Sequence, residues 1–316
     1  MEISDVTADG LYAEALWQFR RHAVEEETRN GRVLTHTAPV SLRLMRPDLR
    51  VLYNDHRDAN PFFHLMEAIW MWAGRNDLKW IQQFNKGIAQ YADEGVLMGA
   101  YGWRWRSYFG FDQLNTLATS ILRNPTSRQH VLQMWHPRDL YNDDKDKPCN
   151  TQIMFRVVNS RLNMTVINRS NDLIWGALGA NIVHMTMLQE LMARSTGVGL
   201  GVYRVFSNNL HVYERHWGLL NNREANHADT FRQTASEHVP RPLHSEGKTI
   251  HIKSWLQDAE RFCEGKGSLN YSWFNEVATP MRNAYLDRER RNWHIKDIQC
   301  PAWRHAAELW SNRRGV

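Results

Sequence analysis

A cysteine at the entrance of a predicted β-hairpin is the residue of this sequence best placed for covalent chemistry. The stretch KPCNTQIMFRVVNSRLNMTVINRSND, residues 147 to 172, places Cys149 directly after Pro148, where a loop enters the first strand. The cluster RSND, residues 169 to 172, follows the second strand. A nearby cation lowers the pKa of a thiol toward the thiolate that attacks electrophiles, and Arg169 is the candidate cation.

Each of these residues also has an ordinary structural interpretation. A single cysteine such as Cys149 is often a small buried hydrophobe. Arg169 and Ser170 can satisfy the polar groups at a strand end, and Asp172 can cap a helix that follows. The spacing alone leaves both interpretations open.

Alternation of apolar and polar residues predicts the hairpin that carries this cysteine. Its apolar positions are Ile153, Phe155 and Val157 on the first strand, then Leu162, Met164 and Val166 on the second. A period of two is typical of strands with one buried face, and residues 159 to 161 form a plausible turn.

Two long helices with apolar residues at helical spacing flank the hairpin along the chain. The first begins at Asn60 and Pro61, ends at Gly74 and carries one carboxylate, Glu67. The second runs through NIVHMTMLQELMARSTG and ends at Gly197. These elements predict an α+β fold, with long helices packed against one face of a sheet.

Composition narrows the class of protein. The chain has 316 residues, of which 42% are hydrophobic, and it contains no repeat or Gly/Ser linker, so we expect a single domain over residues 1 to 316. No apolar stretch is long enough for a membrane span, and the first residues do not resemble a secretory signal. We therefore expect a soluble, cytoplasmic protein.

Charge and cysteine content narrow the chemistry. Cys149, Cys263 and Cys300 are odd in number and widely spaced, which argues against a disulfide framework and a zinc ribbon, and we predict no metal site. The net charge of +5 is spread along the chain, so it favours phosphorylated small molecules at least as much as nucleic acid.

Several ordered segments together resemble the thymidylate synthase superfamily over roughly residues 29 to 217, whereas residues 218 to 316 match weakly. The matching segments, with their candidate residues, are HLMEAIWMWAG with Glu67, GAYGWRWR with Tyr101, FDQL, NPTSRQ with Arg128, MWHPRDL, PCN with Cys149, NRSND with Arg169, Ser170 and Asp172, GANI with Asn181, and NLHVY with His211 and Tyr213.

This resemblance implies a folate-dependent one-carbon transfer. In the family, a thiolate adds to C6 of a pyrimidine nucleotide, and C5 then attacks the one-carbon unit of 5,10-methylenetetrahydrofolate. Cys149 would be the thiolate, Glu67 would organise water and proton transfer, and Tyr101 would help to remove the C5 proton. The resemblance also implies a homodimer that shares its active sites.

The remaining roles concern ligand binding. Arg169 and Ser170 would hold the 5′-phosphate, with Arg128 contributed by the partner subunit and Arg29 as a further ligand, although Arg32 is an open alternative to Arg29. The other implied contacts are His211 and Tyr213 to the sugar 3′-hydroxyl, Asn181 to the base, and Asp172 and Ile88 to the folate.

Departures from the family pattern indicate a branch that resembles the nucleotide hydroxymethylases. Asn150 stands where a histidine usually follows the nucleophile, only Arg128 remains of an arginine pair, and Ile88 lies near the place of a tryptophan. A site that admits water would convert the shared C5 methylene intermediate to hydroxymethyl, whereas hydride would give methyl. We expect hydroxymethylation, with methylation as the alternative.

The identity of the base stays open at this stage. An amide at Asn181 fits uracil, but a flipped amide can also pair with cytosine. The chain has one residue more than the thymidylate synthase pattern between Gly176 and Asn181, and Asn150 adds a second reversible amide, so dUMP and dCMP stay equally possible. The resemblance to the nucleotide hydroxymethylases also implies a phage enzyme of DNA base modification, which would act in the host cytoplasm. A purely nucleic-acid-binding role is a further alternative, disfavoured because tryptophans such as Trp70 and Trp72 lie in apolar helical stretches.

Overall fold

A six-stranded mixed sheet forms the centre of the fold. The computed structural model describes residues 1–221, 228–238, 241–244, 248–290 and 294–316. In chain order the strands of this sheet are β1 (Glu2–Asp5), β4 (Val40–Leu44), β5 (Val131–Gln133), β6 (Asn150–Val158), β7 (Arg161–Asn168) and β9 (Gly199–Ser207). Their spatial order is β1-β4-β9-β7-β6-β5, and the pairs β1–β4 and β7–β9 are parallel.

A smaller four-stranded sheet lies beyond the C-terminal ends of strands β7 and β9. It contains β2 (Ala23–Thr28), β3 (Gly31–His36), β8 (Asn171–Asp172) and β10 (Leu210–Tyr213) in the order β2-β3-β10-β8. Because β8 follows β7 after two residues and β10 follows β9, both of these strands leave the large sheet at the same end.

The α-helices are α1 (Ala8–His22), α2 (Pro61–Trp72), α3 (Leu78–Ile81), α4 (Tyr101–Trp103), α5 (Gln113–Arg123), α6 (Asn181–Ser195), α7 (Trp217–Asn221), α8 (Ala228–Glu237), α9 (Ile252–Glu264), α10 (Thr279–Leu286) and α11 (Pro301–Arg314). In the described residues, short 3₁₀ segments and three π-helical segments connect them. Within the described ranges, we find no helix with both the length and the hydrophobicity needed to cross a membrane. The predicted α+β class is confirmed.

Both predicted long helices are present at the expected positions. The Asn60 side chain accepts a hydrogen bond from the Phe63 amide at 3.1 Å, which caps α2, and Gly74 ends the helix with φ +67°. Helix α6 is buried on nearly every side, because it packs against β7 and β9 on one side and against α2 on the other. It therefore forms the middle layer between the sheet and α2.

The predicted hairpin is confirmed as β6 and β7, but its turn is one residue shorter than expected. Asn159 and Ser160 both have positive φ angles, 49° and 56°, which is typical of a two-residue type I′ turn. Arg161 is the first residue of β7 and not a turn residue. At the other end of the hairpin, a register shift between Asn150 and Gln152 marks an irregularity directly after the cysteine.

A distorted segment leads into α6. It lies where the sequence analysis predicts one residue more than the thymidylate synthase pattern. Residues Leu173–Ala180 form a π-helix that is interrupted by non-helical angles at Leu178 and Gly179. A Cβ atom at Gly179 would lie 2.6 Å from the Ile174 carbonyl oxygen and 2.5 Å from a guanidinium nitrogen of Arg57. This bulge ends directly before α6 begins at Asn181.

Candidate active site

The nucleophile candidate lies beside the guanidinium that was expected to activate it. The Nη2 atom of Arg169 is 3.9 Å from the Cys149 Sγ atom. The same side chain donates to the backbone oxygens of Pro148 and Lys147, both at 3.1 Å. Arg169 therefore holds the loop that carries Cys149 in addition to placing a positive charge next to the sulfur.

The electrostatic balance at Cys149 differs from the simplest expectation. Burial raises the pKa of the Cys149 thiol above its usual value, and the Arg169 and Arg29 cations oppose that rise without cancelling it. The nearby carboxylates of Asp146 and Asp172 raise the thiol pKa further. In the ligand-free chain the thiol is consequently the dominant form.

Tyr101 is positioned by a close contact between its short helix and α2. A Cβ atom at Gly102 would lie 2.0 Å from the Met71 carbonyl oxygen, so this position of the GAYG motif requires glycine. Burial holds the Tyr101 pKa well above its usual value, and the neighbouring Cys149 and Asp146 raise it further. The phenol is therefore neutral and lies beside the thiol.

A buried ion pair anchors two other motifs of the family pattern to each other. Arg104, from GAYGWRWR, makes two hydrogen bonds of 2.7 and 2.9 Å to the carboxylate of Asp139, from MWHPRDL. It also donates to the backbone oxygens of Met98 and Met134. These motif residues are structural, because Arg104 and Asp139 are buried and fully engaged with each other.

A cavity of about 230 Å³ lies beside Tyr101. Four predicted site residues line it, namely Glu67, Ile88, Tyr101 and Asn181. Burial raises the pKa of the Glu67 carboxyl to about 8, so Glu67 is mainly protonated at neutral pH. A proton donor and an amide thus face the same small space.

A second cavity of about 520 Å³ adjoins the first. Phe63, Asn85 and Trp175 line both cavities. Trp175 is 45% exposed, which makes its ring available to a ligand. The two cavities are therefore adjacent.

The two asparagines considered for the base occupy different environments. Asn181 is half-buried at the cavity, and a Cβ at Gly176 would lie 3.3 Å from its Nδ2 atom, so the glycine leaves room for the amide. The Asn150 amide instead donates to the Ile167 carbonyl oxygen at 3.1 Å and to Asn168 Oδ1 at 3.0 Å. The expectation that Asn150 offers a freely reversible amide is wrong, because these two acceptors fix its orientation.

The residues predicted to contact the sugar lie on the small sheet, together with Asp172, one of the two predicted folate contacts. In β10, His211 and Tyr213 point to the same side, with ring centroids 5.0 Å apart. His211 Nδ1 is 2.9 Å from Asn209 Oδ1, which leaves Nε2 as an acceptor. His211 pairs with Asp172 in the neighbouring strand.

Asp172 does cap the following segment, as its structural interpretation predicted. Its Oδ1 atom accepts from the backbone amides of Ile174 at 2.8 Å and Trp175 at 3.2 Å. Both hydrogen bonds use the same oxygen, so the capping role is compatible with ligand binding through Oδ2.

The structure distinguishes between the two arginines proposed as the further phosphate ligand. Arg32 contacts the carboxylates of Glu25 at 2.5 Å and Glu214 at 2.8 Å. Arg29, at the exposed turn between β2 and β3, is instead close enough to Cys149 to affect its pKa. This arrangement favours Arg29.

Two further predicted residues are placed without close partners in the site. Ser170 is half-buried next to Arg169, as its position in the chain requires. Arg128 is exposed on the loop before β5, and no hydrogen bond or ion pair joins it to another predicted site residue in the described part of the chain.

Three residues of the site were not identified from the sequence. Asp146 lines the small cavity and accepts from the Gly99 amide at 2.9 Å. Trp175 lines both cavities, and His184 lies in α6 with its Nε2 atom 3.2 Å from Glu67 Oε2. A histidine within an otherwise apolar helix was the available signal for His184.

Comparison with known proteins agrees with the resemblance and extends it. The family described as thymidylate synthase matches residues 12–239. A protein of Pseudomonas phage M6 named deoxyuridylate hydroxymethyltransferase is 37% identical over 326 residues, which cover 95% of this chain and 91% of the relative.

Two further proteins of the same name match shorter stretches. The Bacillus phage SP01 protein is 35% identical over 201 residues, 60% of this chain and 52% of the relative. The Delftia phage PhiW-14 protein is 28% identical over 225 residues, 67% of this chain and 62% of the relative. This chain thus spans between half and two thirds of these two relatives.

Proposed function

The chain belongs to the thymidylate synthase family, and from that premise we propose that it is a folate-dependent transferase that converts dUMP to 5-hydroxymethyl-dUMP. The observation that carries the proposal is the meeting of the Cys149 sulfur and the Arg169 guanidinium, 3.9 Å apart. Tyr101 interacts with Cys149 and lines the same cavity as Glu67 and Asn181. A nucleophile, a cation, a proton donor and an amide able to read a base are thereby close together.

Cys149 is the group that activates the nucleotide. Its thiolate adds to C6 of the pyrimidine, and the electron pair of the C5–C6 double bond moves toward C5 and the carbonyl at position 4. Because the thiol pKa is raised in the free protein, deprotonation is coupled to ligand binding. Tyr101, beside Cys149, is suited to assist removal of the proton from C5.

The phosphate is assigned to the cationic end of the site. Arg169 uses Nε and Nη2 in its contacts with the loop, which leaves Nη1 for a phosphate oxygen. Ser170 and Arg29 are the further ligands. The His211 Nε2 atom and the Tyr213 hydroxyl are assigned to the 3′-hydroxyl of the sugar.

Asn181 is assigned to the base. Its amide can donate to O4 and accept from the N3–H group of uracil. All three phage relatives bear a name that specifies deoxyuridylate, which favours dUMP over dCMP for this chain. The fixed amide of Asn150 removes one of the two reasons for considering cytosine equally.

Water is the expected second reactant. The half-buried Ile88 lines the small cavity near the place where the synthase pattern has a tryptophan, which leaves more room for water beside C5. The names of the relatives specify hydroxymethyl transfer, which supports the same product. Reductive methylation is the alternative that the product assay tests.

The residues of the two cavities fit 5,10-methylenetetrahydrofolate. The Trp175 ring is exposed between the two cavities and can stack on an aromatic portion of the ligand. Arg57, whose Nε atom is buried without a hydrogen-bond partner, lines the larger cavity with Arg215 and Arg314 and suits glutamate carboxylates. Asp172 Oδ2 is assigned to the pterin. When bound, the folate supplies the one-carbon unit.

We include assembly in the proposal, with the active unit a two-fold dimer. The face of the six-stranded sheet away from α6 carries exposed apolar residues, including Phe206 at 39% and Val131 at 41% exposure. Arg128 is exposed and has no role in its own subunit's site, so it is available to the partner's phosphate site.

Product analysis tests the activity directly. The purified protein is incubated with methylenetetrahydrofolate and either dUMP or dCMP, and the nucleotide products are identified by mass spectrometry. We expect 5-hydroxymethyl-dUMP as the main product. Thymidylate as the main product would replace hydroxymethylation by methylation, and turnover of dCMP alone would overturn the assignment of the base.

The phage relatives support action in the cytoplasm of an infected host, on nucleotides destined for modified DNA.

A further inference from the structure

Behind the Glu67 carboxyl lies a histidine that the reaction outlined above does not use. His184, on α6, places its Nε2 atom 3.2 Å from Oε2 of Glu67, on α2. The exposed fractions of the two side chains are 1% and 12%, so water reaches Glu67 from the cavity but scarcely reaches His184. The contact therefore joins the cavity to the middle layer of the fold.

The surroundings of His184 limit the hydrogen bonds that it can make. Its imidazole also lies against the backbone carbonyl of His64, which can only accept. Neither ring nitrogen completes a hydrogen bond of ordinary geometry in the ligand-free chain. Catalytic hydrogen bonds are often long or misaligned in ligand-free enzymes and tighten when the substrate binds. A purely structural histidine at this depth would be expected to be satisfied.

The charge states of the pair follow from burial. Burial raises the pKa of Glu67 to about 8 and lowers the pKa of His184 to about 3. Both groups are thus neutral at neutral pH, and a carboxylic acid faces an uncharged imidazole. Because a protonated carboxyl can donate to a bare imidazole nitrogen, we place the ring proton of His184 on Nδ1 and the bare Nε2 atom toward Glu67.

We propose that His184 is a positioning residue for Glu67, whose Nε2 atom accepts the carboxyl proton of Glu67 and turns the other carboxyl oxygen toward the reacting nucleotide. This inference rests on the proposed function. It assigns His184 as the residue that controls proton transfer by Glu67. Because His184 holds one oxygen of the Glu67 carboxyl, the other oxygen keeps a fixed direction and can accept a hydrogen bond from the attacking water.

The arrangement accounts for the proton that hydroxymethyl formation must release. The water oxygen forms a bond to the exocyclic methylene carbon, and a proton of that water passes to the outer oxygen of Glu67. The inner O–H bond of Glu67 breaks, and its proton passes to His184 Nε2, so Glu67 remains neutral. The electron pair moves onto the pyrimidine and then expels Cys149 as a thiolate. Burial lowers the pKa of His184 to about 3 and raises that of Cys149, so His184 holds the proton only transiently and the proton ends on the Cys149 sulfur.

Other titratable groups around the pair do not replace this contact. Asp146, from the loop before β6, faces Glu67 and raises its pKa. His64, on α2, has its ring centroid 6.3 Å from that of His184 and is kept neutral by burial, with Arg57 lowering its pKa further. None of these groups is as close to the Glu67 carboxyl as His184 among the contacts of the described residues.

Two variants and one direct measurement test the proposal. His184→Leu removes the acceptor, whereas His184→Gln retains an amide oxygen that can accept. We expect His184→Leu to lower kcat for dUMP at least about tenfold with little change in KM, and His184→Gln to recover most of the loss. A folded, nucleotide-binding His184→Leu protein with unchanged kcat, or a His184→Gln protein no better than it, would overturn the proposal.

Nitrogen NMR of histidine-labelled wild-type protein provides the measurement that needs no turnover. We expect one histidine, whose signals vanish in His184→Gln, to keep a protonated Nδ1 and a bare Nε2 from pH 6 to 7, below the Glu67 pKa of about 8. An Nε2–H tautomer or an imidazolium would contradict the inference even if His184→Leu fails to fold. Failure of the proposed function would instead appear as absence of product from dUMP with the wild-type protein, and the NMR result would still be interpretable.

Discussion

The Nη2 atom of Arg169 lies 3.9 Å from the sulfur of Cys149, while Nε of the same guanidinium donates to the Pro148 carbonyl oxygen at 3.1 Å. One side chain therefore fixes the loop of the nucleophile and supplies the charge that favours its thiolate. The two functions can be separated by substitution, because lysine keeps the charge but not the forked geometry of the donors.

The reactivity of Cys149 toward iodoacetamide should report that charge. Burial raises the thiol pKa and Arg169 opposes this rise, so Arg169→Gln should raise the pKa further and slow alkylation near pH 8 by about tenfold for each unit of pKa. Arg169→Lys should retain more of the rate. Labelling is followed by peptide mass spectrometry, and equal rates in all three proteins would show that Arg169 does not act on the thiol.

Cys149→Ser should bind dUMP but lose at least about 10³-fold in turnover, because a serine hydroxyl is rarely ionised at neutral pH. Cys263 and Cys300 provide controls, since both are buried in the core, 6% and 0% exposed. Cys263→Ala and Cys300→Ala should reduce thermal stability and leave kcat nearly unchanged. The assignment fails if Cys149→Ser remains substantially active while retaining its fold.

The Glu67 carboxyl should make the free protein less stable as pH rises. Its pKa is raised by burial from 4.5 to about 8, so the folded state keeps a proton that the unfolded state releases above pH 4.5. Stability is then lost progressively between pH 4.5 and 8, at roughly 1.4 kcal/mol per pH unit.

Comparison with Glu67→Gln isolates this contribution. From pH 5.5 to 8, the free energy of unfolding in urea should fall by about 3 kcal/mol more in the wild type than in the variant. Asp9, whose pKa burial raises to about 7, contributes equally to both proteins and cancels. Parallel pH dependences would show that Glu67 is ionised in the folded chain.

Short-range sequence signals were sufficient to predict the helices and strands that carry the site residues. Asn60 caps α2 and Gly74 ends it, as the sequence predicted, because both effects depend on the chain immediately around them. The exact turn at Asn159 and Ser160 was less well defined, since a three-residue turn fits the same alternation. Arg169 was correctly paired with Cys149, because the hairpin brings its two ends together.

Contacts between distant segments could not be deduced in the same way. The interaction of Asp146 with the Gly99 amide joins two loops, and the approach of His184 to Glu67 depends on how α6 packs against α2. Asn150 was expected near the base, but the neighbouring strand supplies acceptors that fix its amide. Side-chain direction in the final packing decided each of these cases.

A shared active site should be detectable by mixing two inactive proteins. Arg128→Ala removes the proposed partner contribution, and Cys149→Ser removes the nucleophile, so a heterodimer contains one intact site and one doubly defective site. After complete subunit exchange, about a quarter of wild-type activity should return, because half of the dimers are mixed and each has one of two sites intact. Mixtures that demonstrably exchange subunits and stay inactive would refute a shared site.

The choice of base should depend on Asn181. The side chain lines the small cavity, at the start of α6, with Gly176 leaving room for its amide. The amide can pair with uracil, whereas an aspartic acid at the same place can accept from the 4-amino group of cytosine and donate to its N3. We expect Asn181→Asp to shift the ratio of kcat/KM toward dCMP by at least about tenfold, or roughly 1.4 kcal/mol. Asn85→Asp is the matched control, because Asn85 lines the same cavity and accepts from the Gly87 amide at 3.0 Å, a role that a carboxylate retains. Both nucleotides are assayed with all three proteins, and a ratio that moves no further in Asn181→Asp than in Asn85→Asp would mean that Asn181 does not read the base.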